Sequence, residues 1–205
     1  MNYTTPASPE TIKKTSEALT ANNFLPVEVN TKEEALAKIL ELMPAEATIM
    51  NGSSTTLREI GFTDLLKSGN HKWNNLHDGV LAETDKEKQA KLRRESVLSE
   101  YYLGSAHAIT ETGELVFASN SGSQLPHLAY TSSNIVLVVS TQKIVPTLAD
   151  AFRRIEEYIV PLEDERMKKA AGYGTQWSKT LILNKENAAM GRKVHVILVN
   201  EKLGF

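Results

Sequence analysis

Two hydrophobic periods alternate along this chain, and the points where one gives way to the other mark its elements. Ser8-Pro9-Glu10 reads as an N-cap with proline at the first helical position, opening a helix to about Asn22. In "FLPVEV" the period shortens to that of a strand, and Pro26 suggests an edge. Thr31-Lys-Glu-Glu34 is a capping box, followed by one apolar helical face of Ala35, Ile39, Leu42 and Met43 that ends at Pro44. "ATIMN" is a strand that runs straight into "NGSSTTLREIG". Ser68–Glu83 is polar and irregular, with rings at His71, Trp73 and His77; it reads as a lid or partner surface, or as a solvated loop anchored by one tryptophan. Thr84-Asp-Lys-Glu87 is a second capping box, beginning a charged helix to about Glu100 whose Lys91, Arg93 and Arg94 read as a solvated face.

Further along, Ser105–Thr110 and Glu114–Ala118 read as a hairpin turning at Glu111-Thr112-Gly113. "NIVLVVS" is apolar throughout, as a strand covered on both faces requires. Pro146 opens a long amphipathic helix with Leu148, Phe152, Ile155 and Ile159 inside, and "KTLILN" and "KVHVILVN" are strands. This alternation predicts a three-layer α/β domain over residues 25–205, built on a mostly parallel sheet with one hairpin. A helical extension covers residues 1–24.

Composition narrows the function. A chain of 205 residues with 41% apolar and 23% charged positions is ordinary globular material, and its net charge of -2 argues against a dedicated nucleic-acid binder. The absence of cysteine removes disulfides, thiolate metal sites, iron–sulfur ligation and cysteine catalysis. The start, "MNYTTPASPE", lacks the pattern of a signal peptide, and the longest apolar run, Ile135–Val139, falls far short of a bilayer span. A cytoplasmic protein without membrane contact is expected. The five histidines show no ligand spacing, so no metal is expected, and no G-x-G-x-x-G fingerprint supports a dinucleotide; no cofactor is expected.

The chemistry concentrates where strands meet loops. Gly52-Ser53-Ser54-Thr55-Thr56 follows a strand and opens a helix, where backbone amides and hydroxyls can hold an anion. The same residues also serve a plain helix cap. The stretch has neither the P-loop lysine nor a G-x-S-x-G elbow. Thr110–Gly113, Asn120–Gln124 and Gly172–Lys179 are equally rich in Gly, hydroxyls and amides, as a pocket built from several loops would be. Glu111 is a candidate general base or a turn residue, and Lys143 either meets an anionic ligand at a strand end or faces solvent.

Taken together, "NGSSTTLREIG", "YYLGSAHAITETGELV", "NIVLVVSTQKIVPTLADAFRRI", "PLEDERMKKAAG" and "GTQWSKTLILN…GRKVHVILVNEKLG" resemble the LUD (lactate utilisation) domain family over about residues 30–205. That family is similar in fold to the Rossmann-like NagB/RpiA/CoA-transferase-like α/β proteins. The resemblance implies an accessory or ligand-binding subunit in bacterial L-lactate utilisation, beside an iron–sulfur partner subunit, with a small carboxylate or phosphate as ligand. The pocket candidates are Gly52, Ser53, Ser54, Thr55, Thr56, Gly113, Gly122, Gln124, Lys143, Ser178 and Lys179, with Glu111 as the catalytic candidate; the resemblance implies that the loop of Ser178 and Lys179 faces the pocket. An arginine is common in the family where Gln124 stands, so an anion held there by a guanidinium would meet an amide here. The alternative is a stand-alone enzyme of the same fold acting on a phosphorylated or acyl-CoA-type substrate. A third reading assigns partner binding to Ser68–Glu83.

Overall fold

The computed structural model describes residues 2–205. Ser8 caps helix α1 (Pro9–Ala21) by accepting from the Thr11 amide. Strand β1 (Leu25–Val29), helix α2 (Lys32–Leu42, capped by Thr31), strand β2 (Thr48–Asn51) and the short helices α3 (Thr55–Glu59) and α4 (Phe62–Ser68) follow. The segment read as irregular holds more than a loop: β3 (Asn74–Asn75) adds a strand to β2, and α5 (Leu76–Ala82) follows it, capped by Asn75. Trp73 packs near Phe62 with ring centroids 6.0 Å apart. Helix α6 (Lys86–Glu95) is capped by Asp85 rather than Thr84, because the aspartate carboxylate reaches two amides at once, those of Glu87 and Lys88.

The second half supplies β4 (Tyr101–Gly104), β5 (Ala108–Thr110), β6 (Leu115–Ser119), β7 (Asn134–Ser140), β8 (Ile144–Val145), α7 (Leu148–Arg154), α8 (Val160–Ala171), β9 (Lys179–Leu183) and β10 (Lys193–Val199). A π turn, Ile155–Ile159, joins α7 to α8 just ahead of Pro161, whose missing N–H interrupts regular helix pairing.

Six strands form a wholly parallel sheet in the order β1-β10-β7-β4-β2-β3, with Pro26 in the edge strand β1. The hairpin β5–β6 lies in a second sheet, β8-β5-β6-β9. Alternation along β7 explains the layering. Val136 and Val138 face Ala35, Ile39, Leu57 and Phe62, contributed by α2, α3 and α4. Ile135, Leu137 and Val139 face Leu19 and Phe24 and, from the second sheet, Ile109, Leu115 and Phe117. Covered on both faces, the parallel sheet is the middle of a Rossmann-like three-layer α/β arrangement. The outer side of the second sheet packs against Ala151, Ile155 and Ile159. Among the described residues no helix is long and apolar enough to cross a membrane.

Candidate functional site

In a parallel sheet the loops beyond the carboxyl ends of the strands gather on one edge, and ligands sit among them. Here β2 runs out into Gly52–Thr56, β4 into Ser105–His107, and β7 into the turn Thr141–Lys143. Together with Ser119–Ser121, Ser123, Gln124, Tyr173, Thr175–Trp177 and the π turn's Ile159, they line a cavity of about 510 Å³. That volume suits a small-molecule ligand.

Lys143 lies at its inner end. The residue is 3% exposed, and its Nζ donates to Thr56 Oγ1 at 3.0 Å and to Ser105 Oγ at 3.1 Å. Among the described residues its ammonium makes no ion pair with a carboxylate. Burial, and then the nearby Arg154 cation, lower its pKa to about 7, against a weaker opposing pull from Glu59. Gly204 packs closely against Nζ and Thr56, with no side chain between them. At a φ of +62° Gly204 adopts a left-handed backbone, and a Cβ there would run into Thr56 Oγ1 and stand 3.2 Å from Nζ. The Gly204 segment is clamped from both sides: Gln142 Nε2 donates to the Leu203 and Gly204 carbonyls at 3.1 Å, and the Gly204 amide donates to Glu59 at 2.6 Å.

His107 and Tyr102 form further walls. The Ala118 amide donates to His107 Nδ1 at 3.2 Å, and burial, then Lys143 and Arg154, lower the imidazole's pKa to about 3. It is therefore neutral at pH 7 with its proton on Nε2. Tyr102 stacks on His127 at 4.6 Å and its hydroxyl lies where a Cβ on Gly52 would be, only 2.6 Å away, so only glycine fits there. Burial holds the Tyr102 phenol protonated. At the outer end Arg93 contributes a cation, and Arg166 contributes another already held by Glu163 through two 2.6 Å hydrogen bonds.

The residues singled out in the sequence divide on this geometry. Gly52, Ser53, Ser54, Thr55, Thr56, Gln124 and Lys143 line the cavity. Several of their polar groups are committed: the Gly52 amide donates to the Leu103 carbonyl at 3.3 Å, Ser54 Oγ caps Leu57, and Gln124 accepts from Ser119 Oγ at 2.9 Å. With α3 only five residues long, its start is no substantial dipole, and the buried lysine is the stronger feature. Gly122, Ser178 and Lys179 sit behind the lining and fix it. Ser178 Oγ donates to Asn120 Oδ1 at 3.3 Å, and Lys179 Nζ to the Asn120 carbonyl at 3.2 Å against Gly122.

Glu111 and Gly113 lie elsewhere, which corrects the expectation that they face the cradle. The β5–β6 turn packs on α1, where Glu111 pairs with Lys14 at 2.7 Å and Gly113 abuts Ala18. The physical reason is that β5 and β6 belong to the second sheet, whose turn points away from the ends of β2 and β4. Sequence patterns alone do not single out Tyr102, Ser105, His107, Arg93 and Arg166 as cavity residues. The alternation extends a strand back to Ser105, yet β5 starts only at Ala108; the run of small residues after Gly104 is the signal for a loop there. Among the described residues no three His, Asp or Glu side chains gather as a metal site.

The architecture is similar to that of the crystal structure of a DUF162 family protein from Deinococcus radiodurans, with a TM-score of 0.57 and 12% identity over 95% of this chain and 100% of that one. At that identity the likeness concerns the fold alone. No curated protein matches the sequence. The family model described as the LUD domain matches residues 12–199, and the chain belongs to that family.

Proposed function

We propose that this LUD-domain protein binds a small organic anion in the cavity at the ends of β2, β4 and β7, as a ligand-binding subunit in organic-acid utilisation of the L-lactate type. The observation that carries the reading is Lys143: a buried amine whose side-chain partners are two hydroxyls, opening on a cavity otherwise rich in hydroxyls, amides and glycines. A cation without a carboxylate beside it favours an incoming anion, and an anion placed there raises the lysine's affinity for its proton. With Glu111 paired to Lys14 on another face, the cavity receives no base from that residue, which favours binding over the isomerase-like or acyl-CoA chemistry of related folds. A cysteine-free subunit supplies no iron–sulfur ligands, so an oxidising system that includes it draws its redox chemistry from a separate iron–sulfur partner.

Isothermal titration with L-lactate, pyruvate and inorganic phosphate tests the reading. At least one should bind, and Lys143→Met should weaken it by about tenfold or more, the scale of a lost charge-assisted hydrogen bond. Absence of binding by all three, or equal affinity in a Lys143→Met protein that retains its melting temperature, overturns it.

A further inference from the structure

A lysine kept only to attract an anion is best held charged, and the surroundings of Lys143 work against that. It is buried, its nearby cationic neighbour is Arg154, and the groups at its Nζ are the neutral hydroxyls of Thr56 and Ser105. Arg154 is itself fully buried, donating to the His107 carbonyl at 2.9 Å and lying 5.3 Å from the centre of the Tyr158 ring, so its charge is fixed behind the site. Glu59, whose carboxylate pulls the other way on Lys143, is engaged by the Gly204 amide. These conditions turn an ammonium into an amine nucleophile. Lys143 lines the cavity together with Thr56 and Ser105, the two residues that hold its Nζ.

We propose that Lys143 captures the carbonyl group of a 2-oxo acid as a reversible imine at the inner end of this cavity. The proposal rests on the organic-anion reading above and specifies the chemistry of the ligand. The step balances without any oxidant or reductant. The ammonium of Lys143 releases a proton, the free amine forms a bond to the carbonyl carbon, and the carbonyl oxygen takes up a proton. The resulting carbinolamine loses its hydroxyl, with a second proton, as water and leaves a protonated imine. Overall the ammonium and the ketone become an iminium and one water. The Thr56 and Ser105 hydroxyls, each able to donate and accept, stand at Nζ to pass these protons. His107, a neutral imidazole with Nδ1 already bonded, has its Nε2–H free to hydrogen-bond the carbonyl oxygen.

The experiment is reductive trapping of the full-length protein with pyruvate and sodium borohydride, read by intact mass and peptide mapping, beside calorimetry of pyruvate binding without reductant. The expected result is one adduct, a gain equal to the acid less one oxygen atom, on the peptide carrying Lys143, saturating with pyruvate. L-lactate, which has the carboxylate without the carbonyl, should give no adduct and should compete. Lys143→Arg, which keeps the charge but cannot form an imine, should lose the adduct entirely. Mapping in the unaltered protein keeps the test decisive if that variant fails to fold. Pyruvate binding with no adduct, or with adducts spread over exposed lysines, overturns the imine and leaves the anion site standing. Failure of pyruvate to bind overturns the imine, and failure of L-lactate and inorganic phosphate as well overturns the organic-anion reading with it.

Discussion

Histidine burial makes the stability of this protein sensitive to mild acid. His127 is 2% exposed, with Nδ1 at 2.9 Å from Ser132 Oγ and 3.3 Å from Ser99 Oγ, and burial lowers its pKa from 6.5 to about 4. Between those values the unfolded chain binds a proton that the folded one refuses, so stability is present above pH 6.5 and is lost as pH falls towards 4. For His127 the loss by pH 5 is about 2 kcal/mol. His107 acts in the same direction. Urea unfolding at pH 7 and pH 5 checks this: His127→Asn should shrink the difference between the two by about 2 kcal/mol. An unchanged difference would place the acid sensitivity elsewhere. At this same scale the sequence is least legible. Nothing in the pattern around Lys143 or Arg154 separates a buried cation from an exposed one, because their burial is decided by residues far along the chain, Thr56 and Gly204 for one and Tyr3 and His107 for the other.

Elements are more legible where their signals are local. Ser8, Thr31 and Ser54 cap helices as their spacing predicts, and the turn at Glu111–Gly113 joins two antiparallel strands. The role of that turn is not legible, because a hairpin's sequence specifies its register but not which sheet it joins. Gly204 shows how an element end can depend on a distant contact, and two glycines separate strain from crowding. Gly191 has a φ of +69° with nothing within 4 Å of where a methyl group would stand, whereas Gly204 has a φ of +62° against Thr56 and Lys143. Gly191→Ala should cost about 1–2 kcal/mol through the left-handed conformation alone. Gly204→Ala should cost more than Gly191→Ala and should weaken binding of L-lactate, pyruvate or phosphate, whichever binds the unaltered protein; Gly191→Ala should leave binding intact. Thermal unfolding and calorimetry of both variants decide it. Equal costs with binding unchanged in both would make Gly204 a turn residue and nothing more.

At the scale of the whole molecule, two sheets of different character share one core, and they should unfold together. The cluster between the sheets takes Leu137, Val139, Val196 and Leu198 from the parallel sheet and Ile109, Leu115 and Phe117 from the other, so each sheet loses the cover of one face without its neighbour. Phe117, 1% exposed in β6, sits in that shared layer. Truncating a buried phenylalanine to alanine typically costs about 3–5 kcal/mol through lost transfer and the cavity left behind. The two tryptophans report the outcome separately: Trp73 packs with the cluster of α2–α4, and Trp177 with that of α7 and the π turn. In Trp177→Phe and Trp73→Phe backgrounds, each with a single tryptophan left, urea unfolding should give coincident midpoints, and Phe117→Ala should move both down by the same amount. If Phe117→Ala shifts only the Trp177 transition and leaves that of Trp73 in place, the sheets are separate cooperative units and the cavity between their ends can open without unfolding the parallel sheet.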